Sequence, residues 1–281
     1  MTPRVHVRWT PLSAGAVAPD AVEALLPLLS APERERFAGT ADESAAGRFV
    51  VGRAAIRMLA SELLDGALSP AEIVVSAHCA VCGGPHGRPE AELRSAKGRR
   101  ISLSIAHCAA GVAVAAMWRG PVGIDVEPAD ATTAGLAAVS ALIPPAARPA
   151  GRNWEPVQHW TRMEAALKAD GRGLTLDPAE VRIASGEGAI TATLPPAPSA
   201  PGTAPAESLR EEPAPRFAIA DLRLDPAVRA SVAIGLRAPK EGTSSKDGKA
   251  QKPDKPVVPV INWKRLPLGD LTAHLAHPSP A

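Results

Sequence analysis

Apolar and polar positions alternate along much of the chain with a period of two residues. This pattern predicts strands, because successive side chains of a strand point to opposite faces of a sheet. Segments with this alternation, or with a short apolar run, are Val5–Trp9, Ile73–Val75, Ile101–Ile105, Val112–Val114, Val122–Val126, Val181–Ile183, Ile190–Leu194, Phe217–Leu222 and Ser231–Leu236. Short strands separated by turns favour antiparallel pairing.

Two longer segments, residues 42–64 and 155–169, instead show the spacing of helices with one apolar stripe. Each is followed within two residues by a glycine that would end the helix. A shorter helix is predicted to begin after Ser30, because Ser30 and Glu33 have the spacing of a capping box. Helices combined with antiparallel strands predict an α+β fold with two helix-plus-sheet halves.

Two segments lack a sustained period and differ from the rest in composition. Residues 194–215 contain seven prolines in 22 residues, which indicates an inserted Pro-rich loop. Residues 239–281 contain six of the eight lysines together with many prolines, and we predict that they form a disordered tail. The predicted organisation is an N-terminal half over residues 1–119, a C-terminal half over 120–238, and this tail.

Composition and charge exclude several classes of protein. With 281 residues, of which 46% are hydrophobic and 21% charged, the chain has globular composition. A net charge of +2 provides no overall field for nucleic-acid binding. The chain has neither a run of about 18 apolar residues nor the apolar core of a signal peptide, and its three cysteines do not form a secreted disulfide framework. We therefore expect a cytoplasmic protein that binds neither nucleic acid nor membrane.

The first segment that suggests chemistry is the sequence GIDVEP, residues 123–128. On a strand, Ile124 and Val126 would enter a core, whereas Asp125 and Glu127 would share the opposite face. Neighbouring carboxylates without histidine or cysteine suit Mg²⁺, which prefers oxygen ligands. The alternative is an edge strand whose outer face is simply solvated.

The second segment is the predicted helix that contains Glu164 and Lys168. These residues are four apart and therefore share a helix face, where an ordinary surface ion pair is the simplest interpretation. However, Lys168 is one of only two lysines before residue 240, in a chain that otherwise uses arginine. Because a compact ammonium approaches a phosphate or a reacting hydroxyl differently from a guanidinium, this choice favours a functional lysine.

The third segment is the Gly/Pro-rich stretch from Cys79 to Pro89, followed along the chain by His107. Cys79 and Cys82 have two histidines nearby, but no second pair completes the ligand set of a zinc site. The preferred interpretation is a loop that presents backbone N–H groups and Arg88 to a ligand. His107 would be a second polar contact, or alternatively a structural histidine.

Taken together and in this order, these segments resemble the Sfp-type 4′-phosphopantetheinyl transferases. Gly123–Glu127 matches the G-I-D-x-E of that family, and Trp160–Leu174 resembles its W-x-x-K-E-A-x-x-K-x-x-G-x-G-L. The resemblance covers about residues 20–238. The other segments that contribute are Gly87–Pro89, similar to the G-K-P loop, Ile101–His107, similar to the N-[IL]-S-H strand end, and Glu33–Phe37 with Gly52–Arg57, similar to the N-terminal helical region.

This resemblance implies a monomer of two similar α+β halves related by a pseudo-twofold axis, with coenzyme A and Mg²⁺ between them. The implied reaction transfers the 4′-phosphopantetheine group of coenzyme A to a serine of an acyl or peptidyl carrier protein, and releases adenosine 3′,5′-bisphosphate. The alternative is a catalytically silent module of the same fold that binds carrier proteins or other partners.

Residue by residue, the resemblance assigns Asp125, Glu127 and Glu164 to Mg²⁺, and we expect the side chains of Asp125 and Glu164 to face solvent in the cleft. Glu164 or a metal-bound water would accept the serine proton, and Lys168 would contact the phosphate under attack. The residues implied to bind the nucleotide and its 3′-phosphate are Arg36, Arg53, Gly87, Arg88 and His107.

Three positions depart from the family pattern. Met163 replaces the lysine that precedes the motif glutamate. Ser104 and Ala106 stand where the family more often has asparagine and serine. None of these departures affects the three expected metal ligands, and we therefore expect the protein to be an active enzyme.

Overall fold

The structure of the chain is a computed structural model. It describes residues 2–78, 84, 87–92, 100–130, 137–138, 140–141, 143, 145, 155–186, 188–196, 214–236 and 257–276. The cysteine pair at positions 79 and 82 and most of the predicted loop over 194–215 therefore lie outside the described residues.

The first sheet is built mainly from the N-terminal part of the chain. Its strands are β1 (Arg4–Pro11), β2 (Val74–His78), β3 (Arg88–Glu92), β4 (Arg100–Cys108) and β5 (Gly111–Trp118). Helices α1 (Pro19–Leu25), α2 (Ala31–Ala38) and α3 (Glu43–Leu63) lie between β1 and β2 in the chain. The strands pair antiparallel in the order β1-β5-β4-β3-β2, and α3 packs against β4 and β5.

The second sheet repeats this connection order. Its elements are β6 (Val122–Pro128), α4 (Pro156–Asp170), β7 (Arg182–Gly186), β8 (Ala189–Thr193), β9 (Arg216–Leu222) and β10 (Val228–Leu236). The strands pair antiparallel in the order β6-β10-β9-β8-β7, so that in both sheets the last strand of the series returns beside the first. The fold is therefore α+β, as the sequence predicts.

The two sheets pack face to face around a common apolar core. Trp9 and Met117 from the first sheet contact a cluster that includes Ile124 and Val232 from the second, and all four are buried. Helix α3 covers the outer face of the first sheet, and α4 covers the outer face of the second. The layers are thus helix, sheet, sheet and helix.

Both long helices begin and end where the sequence predicts. Helix α3 follows Asp42, whose side-chain oxygen accepts hydrogen bonds from the backbone N–H groups of Ser44 and Ala45 at 2.9 and 3.2 Å. Helix α4 ends at Gly171, whose φ of 95° lies in the left-handed region that glycine adopts without strain. None of the helices in the described ranges has the length and apolar character needed to cross a membrane.

The prediction that residues 239–281 form a disordered tail is wrong for residues 257–276. Strand β11 (Val260–Arg265) extends the first sheet by parallel pairing with β1, and α5 (Leu268–Ala276) follows it. Leu271 of α5 is fully buried in the core beneath α3. Truncation before this segment would therefore remove an edge strand and a core side chain. Residues 237–256 lie outside the described part of the chain.

Candidate functional site

Strand β6 and helix α4 are in direct backbone contact at Gly123. A Cβ atom at this position would lie 2.0 Å from the carbonyl oxygen of Ala165 and 2.5 Å from the backbone nitrogen of Ala169. Only glycine allows an approach this close. The contact brings the face of α4 that contains Lys168 onto the strand that contains Asp125.

The side chains of β6 alternate as predicted. Ile124 and Val126 are buried in the core between the two sheets. Asp125 and Glu127 project from the opposite face, towards α4, where Lys168 contacts Asp125 and Trp160 lies near Glu127. Strand β6 is an edge strand of its sheet, but its outer face is not simply solvated, because α4 covers that face.

Asp125 is the best-defined member of the site. The Lys168 ammonium donates a hydrogen bond of 2.6 Å to its Oδ1. The other oxygen, Oδ2, is buried and has no hydrogen-bond partner among the described residues. Asp125 is only 4% exposed, so the expectation that its side chain faces solvent is wrong. The expectation failed because the burial is produced by the close packing of α4, which the strand sequence alone does not reveal.

The carboxylates influence one another strongly. Burial raises the pKa of Glu127 to about 7, and the negative charge of Asp125 adds to this rise. Burial also raises the pKa of Glu164, although the charge of Lys168 opposes the shift. Burial alone would lower the pKa of Lys168, but the charge and hydrogen bond of Asp125, together with the charges of Glu164 and Glu127, outweigh it and the pKa is raised. Lys168 forms an ion pair with Asp125, whereas Glu127 and Glu164 act on it through their charges alone, so this one cation does not neutralise all three acids.

The residues fit a hard divalent cation such as Mg²⁺ by their chemistry. A second cation would neutralise Glu127 and supply a partner for the unpaired Oδ2 of Asp125. The side chains that would hold it are Asp125, Glu127 and Glu164. As they stand, no group of three or more His, Cys, Asp or Glu residues in the described ranges is arranged closely enough to hold a metal ion.

A basic cluster adjoins the carboxylates on the side of the first sheet. It is centred on His107, near the end of β4. Displacement of water lowers the pKa of His107, and the positive charges of Arg48, Lys168 and Arg36 lower it further. We call Arg36, Arg48 and His107 the basic cluster. The lowered pKa keeps His107 uncharged near neutral pH, so Arg36 and Arg48 would provide the positive charge for an anionic ligand and His107 a polar contact.

Arg48 is the member of this cluster that the sequence did not indicate. Its Nη1 donates a hydrogen bond of 2.9 Å to the carbonyl oxygen of Gly15, and its Nε is buried without a partner among the described residues. Arg48 and Arg53 are five residues apart on α3, which places them about 140° apart around the helix. Periodicity therefore could not assign both to one site, and only the position of β4 shows that Arg48 is close to His107.

Arg36 and Arg53 lie over the ring of Phe49, with guanidinium carbons 4.9 and 5.3 Å from its centre. Arg53 also forms an ion pair of 3.2 Å with the buried carboxylate of Glu33, and this carboxylate accepts a hydrogen bond of 2.7 Å from Arg57. Glu33 therefore fixes Arg53 on α3, whereas no ion pair of Arg36 is formed within the described ranges. Of these two expected nucleotide contacts, Arg36 is the more available.

Arg88 connects the two halves of the molecule. Its Nη1 donates a hydrogen bond of 2.7 Å to the carbonyl oxygen of Ala169 near the end of α4, and its Nη2 donates one of 3.0 Å to Glu90. Gly87 immediately precedes Arg88 at the start of β3. The structure thus places Gly87 and Arg88 at the C-terminal end of α4, with part of the Arg88 guanidinium already used by the protein.

The three departures from the family pattern have structural counterparts. Met163 is 1% exposed and packs in the core beneath α4, and Ala106 is buried in the core between the sheets. The hydroxyl of Ser104 accepts a hydrogen bond of 3.0 Å from the backbone N–H of Ile124, which ties β4 to β6. These positions contribute to packing and to sheet contact.

No protein-family model matches this chain, and no curated protein sequence matches it.

Glu127 should make the stability of the metal-free protein depend on pH. Its folded pKa of about 7 lies above the ordinary value of 4.5, so the stabilisation from its proton is complete below 4.5 and is lost as the pH rises through 7. Thermal unfolding in a chelator should therefore show that wild type loses stability relative to Glu127→Gln over this range. The histidines titrate in both proteins and cancel in the comparison.

Excess MgCl₂ serves as the internal control, because a bound cation stabilises the charged carboxylate and should remove the relative loss. A stability difference between the two proteins that is the same at every pH would show that Glu127 titrates like an ordinary glutamate.

Proposed function

We propose that this protein is a metal-dependent transferase that joins a phosphorylated group to a hydroxyl acceptor. More specifically, we propose a 4′-phosphopantetheinyl transferase of the Sfp type, which modifies a serine of an acyl or peptidyl carrier protein with coenzyme A as the donor. The observation that carries this proposal is the convergence of Asp125, Glu127, Glu164 and Lys168 beside the basic cluster.

The connection order of the sheets supports the same proposal. Two successive halves of one chain follow the same path of strand, helix and four further strands, and they pack with their sheets face to face. Such a repeat is what a pseudo-twofold phosphopantetheinyl transferase fold requires. It makes a monomer sufficient to form a site between the halves, and the site residues indeed come from both β4 and β6.

The proposed reaction forms a bond between the serine oxygen and the phosphorus that bears the pantetheine group. The bond from that phosphorus to the bridging pyrophosphate oxygen breaks, and the electron pair leaves with adenosine 3′,5′-bisphosphate. Phosphoryl transfer of this kind depends mainly on positioning and on neutralisation of charge. Mg²⁺, when bound, would supply positive charge to the pyrophosphate.

The chain's own residues divide the remaining tasks. Glu164 lies on the same face of α4 as Lys168, four residues earlier, and would accept the serine proton as the acid that shares this face with the lysine. Lys168 would move its ammonium contact from Asp125 to the phosphate under attack. Arg36, Arg48 and His107 would face the negative charge of the departing bisphosphate.

The experiment that tests this function is a mass-shift assay. The purified protein is incubated with coenzyme A, MgCl₂ and a panel of apo carrier proteins, and each carrier is then weighed by mass spectrometry. We expect at least one carrier to gain the mass of one phosphopantetheinyl group, and a chelator to prevent the gain. The control is the same carrier with its acceptor serine replaced by alanine. An unrelated transferase is used to show that the carriers in the panel can be modified. If this protein leaves all of those carriers unchanged, the proposal is wrong and the silent binding module becomes the preferred interpretation.

A further inference from the structure

A groove with a volume of about 740 Å³ lies at the N-terminal end of α4, on the α4 side of the second sheet. One wall is the N-terminal part of α4, with Gln158 and Arg162. The other wall is the connection between β9 and β10 together with the start of β10, with Arg223 and Arg229. We call this feature the α4 groove. None of the residues that line it takes part in the proposed reaction.

The α4 groove adjoins the candidate active centre directly. Arg229 of β10 is the register partner of Glu127 on β6, so the two residues are neighbours across adjacent strands. On α4, Arg162 and Glu164 are two residues apart, so their side chains point about 200° apart around the helix, and Glu164 does not line the groove. A molecule in the groove would therefore lie next to Glu127, which is one of the proposed metal ligands.

The two ends of α4 offer different surroundings to two substrates. The C-terminal end, at Lys168, faces the basic cluster from the first sheet, which suits the anionic donor. The N-terminal end borders the α4 groove, whose floor includes the buried apolar side chains of Leu222, Leu224 and Val228. The reacting centre between these ends would receive the donor from one side and the acceptor from the other.

Most charges in the α4 groove are already paired within the protein. Arg162 donates hydrogen bonds of 2.9 and 2.5 Å to the two carboxylate oxygens of Asp221, and Arg229 pairs with Glu155. A hydrogen bond of 3.1 Å from the buried Ser231 hydroxyl holds Asp221 from behind. These contacts hold the side chains of Arg162, Asp221 and Arg229 in place along the walls of the groove.

Arg223 is the exception. It is exposed at the rim, and it forms no hydrogen bond or ion pair in the part of the chain that the structure describes. The nearby acid, Asp225, accepts a hydrogen bond of 2.9 Å from the backbone N–H of Ala227 and stabilises the turn. The groove thus combines an apolar floor with a guanidinium at its rim that is free to bind a carboxylate.

We propose that the α4 groove is the docking surface for the protein acceptor, and that Arg223 binds an acidic side chain close to the acceptor serine. This inference rests on the proposed function and identifies the surface by which the second substrate is selected. A charge pair at the rim of an interface mainly controls association and specificity, and contributes little to the chemical step.

The test is Arg223→Glu, with Arg216→Glu as the matched control. Arg216 is exposed at the first residue of β9 and is outside the groove, whereas Arg223 directly follows the last residue of β9, so the two variants reverse the same charge at the two ends of one strand. With coenzyme A in excess and an acyl carrier protein with acidic residues flanking its serine, Arg223→Glu should raise the KM for the carrier about tenfold. We expect kcat and the KM for coenzyme A to stay within about twofold of wild type, and Arg223→Lys to restore most of the affinity.

A binding measurement separates this inference from the proposed function. Calorimetric titration with the serine-to-alanine carrier requires no transfer, and Arg223→Glu should weaken that binding about tenfold as well. If wild type transfers the group but Arg223→Glu and Arg216→Glu behave alike, the docking surface is wrong and the function stands. If wild type transfers nothing while Arg223→Glu alone loses carrier binding, the docking surface stands and the transferase proposal is wrong.

Discussion

Glu164→Gln should lower the rate of phosphopantetheine transfer by about three orders of magnitude while the protein remains folded. The substitution keeps the shape of the side chain but removes both a proposed metal ligand and the proposed proton acceptor. Because Glu164 is only partly buried, and its carboxyl group has a raised pKa, its charge contributes little to the stability of the metal-free fold. The measurement is single-turnover transfer to a carrier protein, followed by mass spectrometry.

Glu180→Gln is the matched control, because Glu180 is exposed in the turn that follows α4 and is distant in sequence from the carboxylates. It should leave transfer unchanged. Near-normal turnover by Glu164→Gln would contradict the assignment of this residue, and with it the proposed proton transfer.

Asp125 is more deeply buried than Glu164, and it forms an ion pair with Lys168. Asp125→Asn should also abolish most transfer, but in addition it removes the charged partner of Lys168 at a position that is 4% exposed. Breaking a buried ion pair leaves the remaining charge poorly compensated. We therefore expect a lower melting temperature for Asp125→Asn than for Glu164→Gln.

The second large effect is expected at Gly123. Replacement by alanine would place a methyl group 2.0 Å from the carbonyl oxygen of Ala165, far inside van der Waals contact. Since both contacting atoms belong to backbone, either α4 or β6 must move. We expect a loss of about 3 kcal/mol or more in the free energy of unfolding, measured with a chemical denaturant. Divalent-ion binding should weaken as well, because the same displacement separates Glu164 from Asp125.

Gly186→Ala provides the matched comparison. Gly186 also lies in a strand, β7, but a Cβ atom there would have no other atom within 4 Å. Its replacement should change stability by less than about 1 kcal/mol. Equal stability of the Gly123 and Gly186 variants would show that α4 does not rest on the backbone of β6.

Features that depend on neighbours in the sequence could be predicted from it. The bounds of α3 follow from Asp42 and from the apolar stripe, and the alternation around Asp125 follows from the period of a strand. The adjacency of Asp125 and Lys168, 43 residues apart, could be expected only from the family resemblance. The two motifs that carry this resemblance, at residues 123–127 and 160–174, are local patterns. Neither indicates how deeply Asp125 and Lys168 are buried.

Features that depend on distant pairing could not be predicted. Strand β11 is recognisable only beside β1, more than 250 residues earlier, and the lysines and prolines before it dominate the local composition. Arg48 joins the basic cluster only because α3 packs on β4. The shared connection order of the two sheets likewise leaves no visible repeat in the sequence, because packing constrains apolar character and permits different side chains.

The parallel pairing of β11 with β1 also determines when the first sheet can be completed during synthesis. β1 leaves the ribosome first, but the strand that covers its outer edge is completed only at residue 265. Until then, the earliest part of the chain exposes unpaired backbone groups, which are a template for association with other chains. The first sheet therefore becomes complete long after its other strands have been synthesised. A chaperone that binds exposed strand edges would act mainly in that interval.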